Sequence, residues 1–266
     1  MSGKGYLLIA LLILFSGSAS AQTEQTSKSA YKYLDLKEDP YESTIASLDA
    51  YAIELQKNLN SKGYIVVYRG LRDLPGVATR YAIRTKNYLN TRLSAPREIF
   101  ELDGGIKQCL TIELWVAPEG SSSPNLNRES FQNQKSNNFL QKFDEAVYYL
   151  ENDPGDCGWC DYQNASSLLD GFALALKNAP QSRGYIIVYN QGSTTLPYNG
   201  GKVTRDPSYI ASRILKELRN HLINRHHIPS RRLITIEGGY RESRIVELWI
   251  SPLRTPAPKP IPTIFP

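Results

Sequence analysis

Apolar residues along this chain switch between two spacings, and the switches mark out its elements. Ile45, Leu48, Ala52, Leu55 and Leu59 fall at three- and four-residue steps, the spacing that lines one face of a helix. Gly63 to Tyr68 (GYIVVY) is a short run of β-branched and aromatic residues with almost no polar member, which suits a strand buried on both faces. Ala78, Tyr81, Ala82, Thr85, Tyr88 and Leu89 make a second helical stripe. Glu98 to Leu102 and Leu110 to Val116 then read as strands, joined through a Gly104-Gly105 turn. Tyr31 to Leu36 reads as a leading strand. The order is β-α-β-α-β-β.

The same order recurs downstream. Leu48-Asp49-Ala50-Tyr51-Ala52 is matched by Leu169-Asp170-Gly171-Phe172-Ala173, and GYIVVY by Gly184 to Tyr189 (GYIIVY). Lys86-Asn87-Tyr88-Leu89 answers to Arg219-Asn220-His221-Leu222, Asp103-Gly104-Gly105 to Glu237-Gly238-Gly239, and Glu113-Leu114-Trp115 to Glu247-Leu248-Trp249. Blocks that keep both order and type indicate duplication. Phe143 to Leu150 supplies the second leading strand. Ile210, Ile214, Leu218 and Leu222 give its second helix, with Asp206-Pro207 read as cap and first turn. The predicted fold class is α+β: two tandem β-α-β-α-β-β modules, residues 30–118 and 139–252, each a mixed sheet with helices on one face. Copy two carries a longer loop, Asn190 to Pro207.

Residues 119–138 are rich in Ser, Asn and Gln and read as a flexible linker. Residues 253–266 carry proline at nearly every second position from Thr255, which predicts an extended polyproline-like tail. Residues 1–21 have the form of a signal peptide: Lys4, an apolar run from Tyr6 to Phe15, then Ala19-Ser20-Ala21. An apolar run of ten is too short to span a bilayer, and no later segment is long and apolar enough to do so. A periplasmic or extracellular location is expected. The formal charge of +5, from 31 basic and 26 acidic side chains, gives no argument for nucleic acid.

Candidate chemistry is sparse. Cys157-Gly158-Trp159-Cys160 at a helix start has the form that thiol–disulfide exchange uses; because copy one lacks the pair, the preferred reading is a structural disulfide, within the pair or from one of them to Cys109. The three histidines, His221, His226 and His227, sit where the second helix of copy two should end, and read as capping or surface groups. No metal site is expected, because no Cys or Asp lies suitably near in sequence. No cofactor is expected. Nothing spells a Ser-His-Asp site. Arg213, Lys216, Arg219, Arg231, Arg232, Arg241 and Arg244 predict a basic face on copy two. Trp115 and Trp249 alternate with core leucines and should face away from them.

The stretch Ile228 to Ile250 (IPSRRLITIEGGYRESRIVELWI) resembles the end of OmpA-like C-terminal domains. Ser243 to Leu248 looks like that family's last strand, and Ile228-Pro229 with Arg232-Leu233 like the element before it. The β-α-β-α-β-β order agrees. The resemblance implies a periplasmic, non-catalytic binding or structural protein associating with peptidoglycan or another envelope component. Many members clamp a diamino acid stem between an Asp and an Arg. Their ligand arginine falls on Tyr81 and Ile214 here. The residues nearest the clamp positions are Asp73, Arg80 and Arg84 in copy one, and Asp206 and Arg213 in copy two. The alternatives are a thiol–disulfide oxidoreductase through CGWC, or an interaction module whose proline tail is held by another envelope protein.

Overall fold

The computed structural model describes residues 29–36, 41–57, 60–95, 97–126, 140–150, 160–192, 194–195, 202–203 and 205–264. Residues 1–21, read above as a signal peptide, most of the expected linker and Cys157 lie outside them.

Module one runs β1 (Tyr31–Leu36), α1 (Tyr41–Lys57), β2 (Lys62–Gly70), α2 (Val77–Arg92), β3 (Ile99–Lys107) and β4 (Thr111–Ala117). Module two runs β5 (Gln141–Val147), α3 (Cys160–Asn178), β6 (Ser182–Gln191), a small hairpin β7 (Thr194–Thr195) and β8 (Lys202–Val203), α4 (Tyr209–Asn224), β9 (Leu233–Arg241) and β10 (Ile245–Pro252). The sheets are ordered β1-β4-β2-β3 and β5-β10-β6-β9, each with one parallel pair (β2 with β3, β6 with β9) and antiparallel partners otherwise. The α+β fold and its duplication stand as the pattern predicted. GYIVVY and GYIIVY are interior strands, and their near-complete burial explains why neither alternates in polarity.

Both helices of a module lie on one face. In module one Leu48, Leu55, Ile65, Val67, Leu89, Ile112 and Leu114 share a core; in module two Leu169, Phe172, Ile186, Val188, Ile214, Leu218 and Leu248 do. A fully buried side chain of this size contributes about 1.5–3 kcal/mol. The glycines opening the interior strands have a packing reason. A Cβ on Gly63 would lie 2.9 Å from the Tyr51 hydroxyl, and one on Gly184 2.8 Å from the Phe172 ring.

The modules also touch each other, because α2 packs on α3. The Gly76 amide donates to the Phe143 carbonyl at 2.7 Å, and a Cβ there would meet the Phe143 ring at 2.5 Å. Arg80 donates from Nε and Nη2 to the two carboxylate oxygens of Asp144 at 2.9 and 3.2 Å, a two-pronged bond between the modules.

Three expectations need correction. The Gly-Gly pairs are not the turns between strands: they lie inside β3 and β9, and the turns come later. Asp206 does not cap α4, which starts at Tyr209 after Ser208 with no side-chain cap. The tail after module two, expected as an extended polyproline-like end, folds back on the module: Thr263 and Ile264 amides donate to the Tyr240 carbonyl at 3.0 and 3.1 Å, and Pro258 is buried. Among the described residues no helix is long and apolar enough to cross a membrane.

Candidate functional site

Strand alternation sends Tyr64, Val66 and Tyr68 from β2, with Glu113 and Trp115 from β4, to the sheet face away from the helices. In module two Tyr185, Ile187, Tyr189, Glu247 and Trp249 take the same places. Each face is organised around its glutamate. Glu113 accepts from Tyr68 Oη at 3.2 Å, Trp115 Nε1 at 3.0 Å and Lys107 Nζ at 2.8 Å, with Lys32 Nζ at 3.6 Å. Glu247 accepts from Tyr189 Oη at 3.3 Å, Trp249 Nε1 at 3.0 Å and Lys142 Nζ at 2.9 Å, with Arg241 Nη1 at 3.0 Å. The cation from the strand beyond the interior one, β3 or β9, lies over the tyrosine ring in both, Lys107 over Tyr68 and Arg241 over Tyr189, each 3.6 Å from the centroid.

The repeat of this cradle, residue for residue, is the main finding that periodicity alone did not reveal. Burial by itself pushes both carboxyls up. In Glu113 the bonds from Lys107 and Trp115 and the charge of Lys32 outweigh it; in Glu247 those from Lys142 and Trp249 and the charge of Arg241 do. Both groups are held below the usual carboxylate range. Burial, and then the charge of Glu113, pushes the Tyr68 phenol up to about 12. A carboxylate kept ionised between two cations is poorly placed to trade protons near neutral pH.

The Gly-Gly pairs set the tyrosine. The strand register slips between Val67 and Tyr68, and between Val188 and Asn190, so Gly104 and Gly238 sit in bulges. A Cβ on either would lie 2.6 or 2.5 Å from the Tyr68 or Tyr189 ring. The second glycines, Gly105 and Gly239, have φ of +94° and +86°, a conformation that favours glycine.

Module two's face holds the chain's own tail. The Ile261 amide donates to Tyr189 Oη at 3.1 Å, and Arg241 Nε donates to the Ile261 carbonyl at 3.1 Å. Tyr240 and Ile264 form a β-bridge. The cradle thus reads backbone groups of an extended, proline-rich segment, the mode in which main-chain bonds supply attachment. Pro124 after β4 is buried as Pro258 is after β10, and they stand 134 residues apart, as Glu113 and Glu247 do.

The residues singled out from sequence fall elsewhere. Asp73 Oδ2 accepts from the Gly70 amide at 2.8 Å, and Asp206 Oδ2 from the Gln191 amide at 2.8 Å. They are counterparts, and each ties the end of an interior strand to the loop after it. Asp206 is also gripped by Arg244, Nε to Oδ2 at 2.8 Å and Nη2 to Oδ1 at 2.6 Å. Arg80 is engaged with Asp144; Arg213, its counterpart on α4, is exposed, and Arg84 is half-buried on α2. Of the basic face expected on module two, Arg213, Lys216 and Arg231 are exposed and Arg219 is half-buried, while Arg232, Arg241 and Arg244 are engaged within the protein. Arg232 donates to the carbonyls of Leu176, Ala179 and Ser182 at 2.7–2.8 Å, closing the C-terminus of α3. Arg241 and Arg244 are the cradle and loop arginines just described.

The histidines are not plain caps. Asp170 reaches across from α3, and its Oδ1 lies 2.7 Å from His226 Nε2, 3.9 Å from His221 Nε2 and 4.0 Å from Arg225 Nε. Only spacing across two helices could have signalled this, since Asp170 is far from His221 in sequence. Burial lowers the His226 imidazole, against the opposing pull of Asp170. Cys109 is an exposed thiol between β3 and β4; Cys157, one of its candidate partners, lies outside the described residues. Cys160 opens α3. Compared with family models, with curated proteins and with solved structures, the chain gives no match.

Proposed function

We propose that the protein is an exported, non-catalytic binding or structural protein of the cell envelope, working through the sheet faces of its two modules. The observation that carries this reading is the repeated cradle, which in module two holds an extended proline-rich segment by its backbone. The paired cations around Glu113 and Glu247 favour holding over proton transfer. The occupant best suited to such a face is an extended segment of an envelope protein, and the tail then acts as a resident occupant rather than as bait for a partner.

The wall-polymer variant of this reading has less support. A clamp on a diamino acid stem needs an acid and an arginine with bonding capacity to spare, whereas Asp73, Asp206 and Arg80 are engaged within the protein. Co-sedimentation with purified peptidoglycan sacculi separates the two. At physiological salt the protein should remain in the supernatant, any pelleting at low salt being screened out. Pelleting that survives this salt, and that Arg84→Ala and Arg213→Ala each abolish, would replace the sheet-face ligand with the wall.

A further inference from the structure

We propose that Asp170, His221 and His226 form a binding site for a divalent transition-metal ion of the zinc class, clasping α3 to the end of α4. Three ligand atoms, Asp170 Oδ1, His221 Nε2 and His226 Nε2, lie within 4.8 Å of one another. All three are shut off from solvent, and none makes a well-directed hydrogen bond. The 2.7 Å approach of His226 Nε2 to Asp170 Oδ1 is close, but off the line an N–H would need. Three buried polar atoms aimed at one point without directed partners are costly, and a cation bound by all three removes that cost.

The geometry suits the ion. Zinc bonds of about 2.0–2.2 Å in a tetrahedral site place ligand atoms roughly 3.3 Å apart. The 2.7 and 3.9 Å separations bracket that value, so small side-chain shifts suffice. Two imidazoles and one carboxylate suit zinc, copper(II) or nickel(II), while calcium and magnesium want oxygen alone. Three protein ligands leave a fourth position for water or an added ligand. The polypeptide turns through His227, whose φ is +57°, directly after His226. The Ile228 amide donates to the Leu222 carbonyl at 3.1 Å beyond that turn, so His226 is held at the helix end against α3. Arg225 is the nearest competing cation, and its side chain is 57 % exposed, free to swing outward.

Module one supplies an internal control. Asp49, the counterpart of Asp170, accepts from Tyr88 Oη at 2.8 Å and has Arg92 Nε at 3.2 Å. Arg92 Nε also donates to Tyr88 Oη at 2.9 Å. Tyr88 stands where module two has His221, Arg92 where it has Arg225, and Leu93 where it has His226. The latch between the helices is therefore common to both modules and complete without a metal in the first. In the second, both replacements are histidines and the arginine stands back.

The test is calorimetric titration of untagged protein, thiols alkylated, with Zn2+. The wild type should bind one ion per chain at this site. His221→Tyr, which installs module one's latch and should keep the fold by circular dichroism, should weaken binding at least about 100-fold. That exceeds the 10–100-fold typical of losing an outer hydrogen-bond partner. His226→Leu, also taken from module one, should do the same. Absence of binding by the wild type, or equal binding by wild type and both variants, would overturn the proposal.

Discussion

Arg244→Ala should destabilise the second module by about 3–5 kcal/mol, the cost of leaving one partner of a buried ion pair alone. Arg244 is only 2 % exposed, and its two-pronged bond to Asp206 is accompanied by donation from Nη1 to the Tyr148 carbonyl at 3.1 Å. Alanine removes these bonds and strands the Asp206 carboxylate, itself 8 % exposed. The loop between β6 and α4 is tied through Asp206 to Gln191, so its attachment weakens at the same time. Urea denaturation should show a lower midpoint with little change in slope. Adding Asp206→Asn to the alanine variant should recover part of the loss, because the stranded charge is then gone. A loss under about 1 kcal/mol would mean that water reaches this pair.

Arg80→Ala should cost about 2–4 kcal/mol, somewhat less than a fully buried pair, because the Arg80 side chain is 18 % exposed while Asp144 is 1 % exposed. Burial already pushes the Asp144 carboxyl up in spite of Arg80. Without the guanidinium, that residue must bury a bare charge or take up a proton. The second consequence is specific to an inter-module bond. Wild-type protein should unfold with the modules coupled, whereas in Arg80→Ala their transitions should separate in calorimetry. Arg80→Lys should fall between, keeping the charge but not the fork. A variant that unfolds as the wild type does would mean that apolar packing of α2 on α3 holds the modules unaided.

The fold was legible because its signals are local. Three- and four-residue steps marked the helices, polar-free GYIVVY and GYIIVY marked interior strands, and duplication checked each against the other. What periodicity could not show was which polar residues meet. Glu113 and Trp115 stood out as a repeated block, yet Tyr68, Lys107 and Lys32 come from three other strands, and only sheet order brings them to one carboxylate. The Gly-Gly pairs read as turns in sequence because glycine serves both turns and bulges, and the tyrosine ring that demands it lies on another strand. Asp73 and Arg80 stood out through resemblance to a ligand clamp. Short polar residues at strand ends and helix starts serve loop closure and module docking equally well. The contact of Asp170 with His226 is not legible in either helix alone, because it is a property of two helices packed side by side.

The most direct test of the sheet-face reading uses the tail as a separate molecule. Protein ending at Arg254 should keep its fold by circular dichroism and expose the cradle of Tyr189, Arg241, Glu247 and Trp249. A peptide spanning Thr255 to Pro266 is then titrated in, with tryptophan fluorescence as the readout. A tethered segment has an effective concentration of about 1 mM, so a tail that is mostly docked needs a dissociation constant of about 0.1 mM or tighter. Saturable one-to-one binding in that range is predicted, weakened several-fold by Tyr189→Phe, which removes the hydroxyl that accepts the Ile261 amide. No saturation at several times 1 mM peptide, with the fold intact, would contradict it.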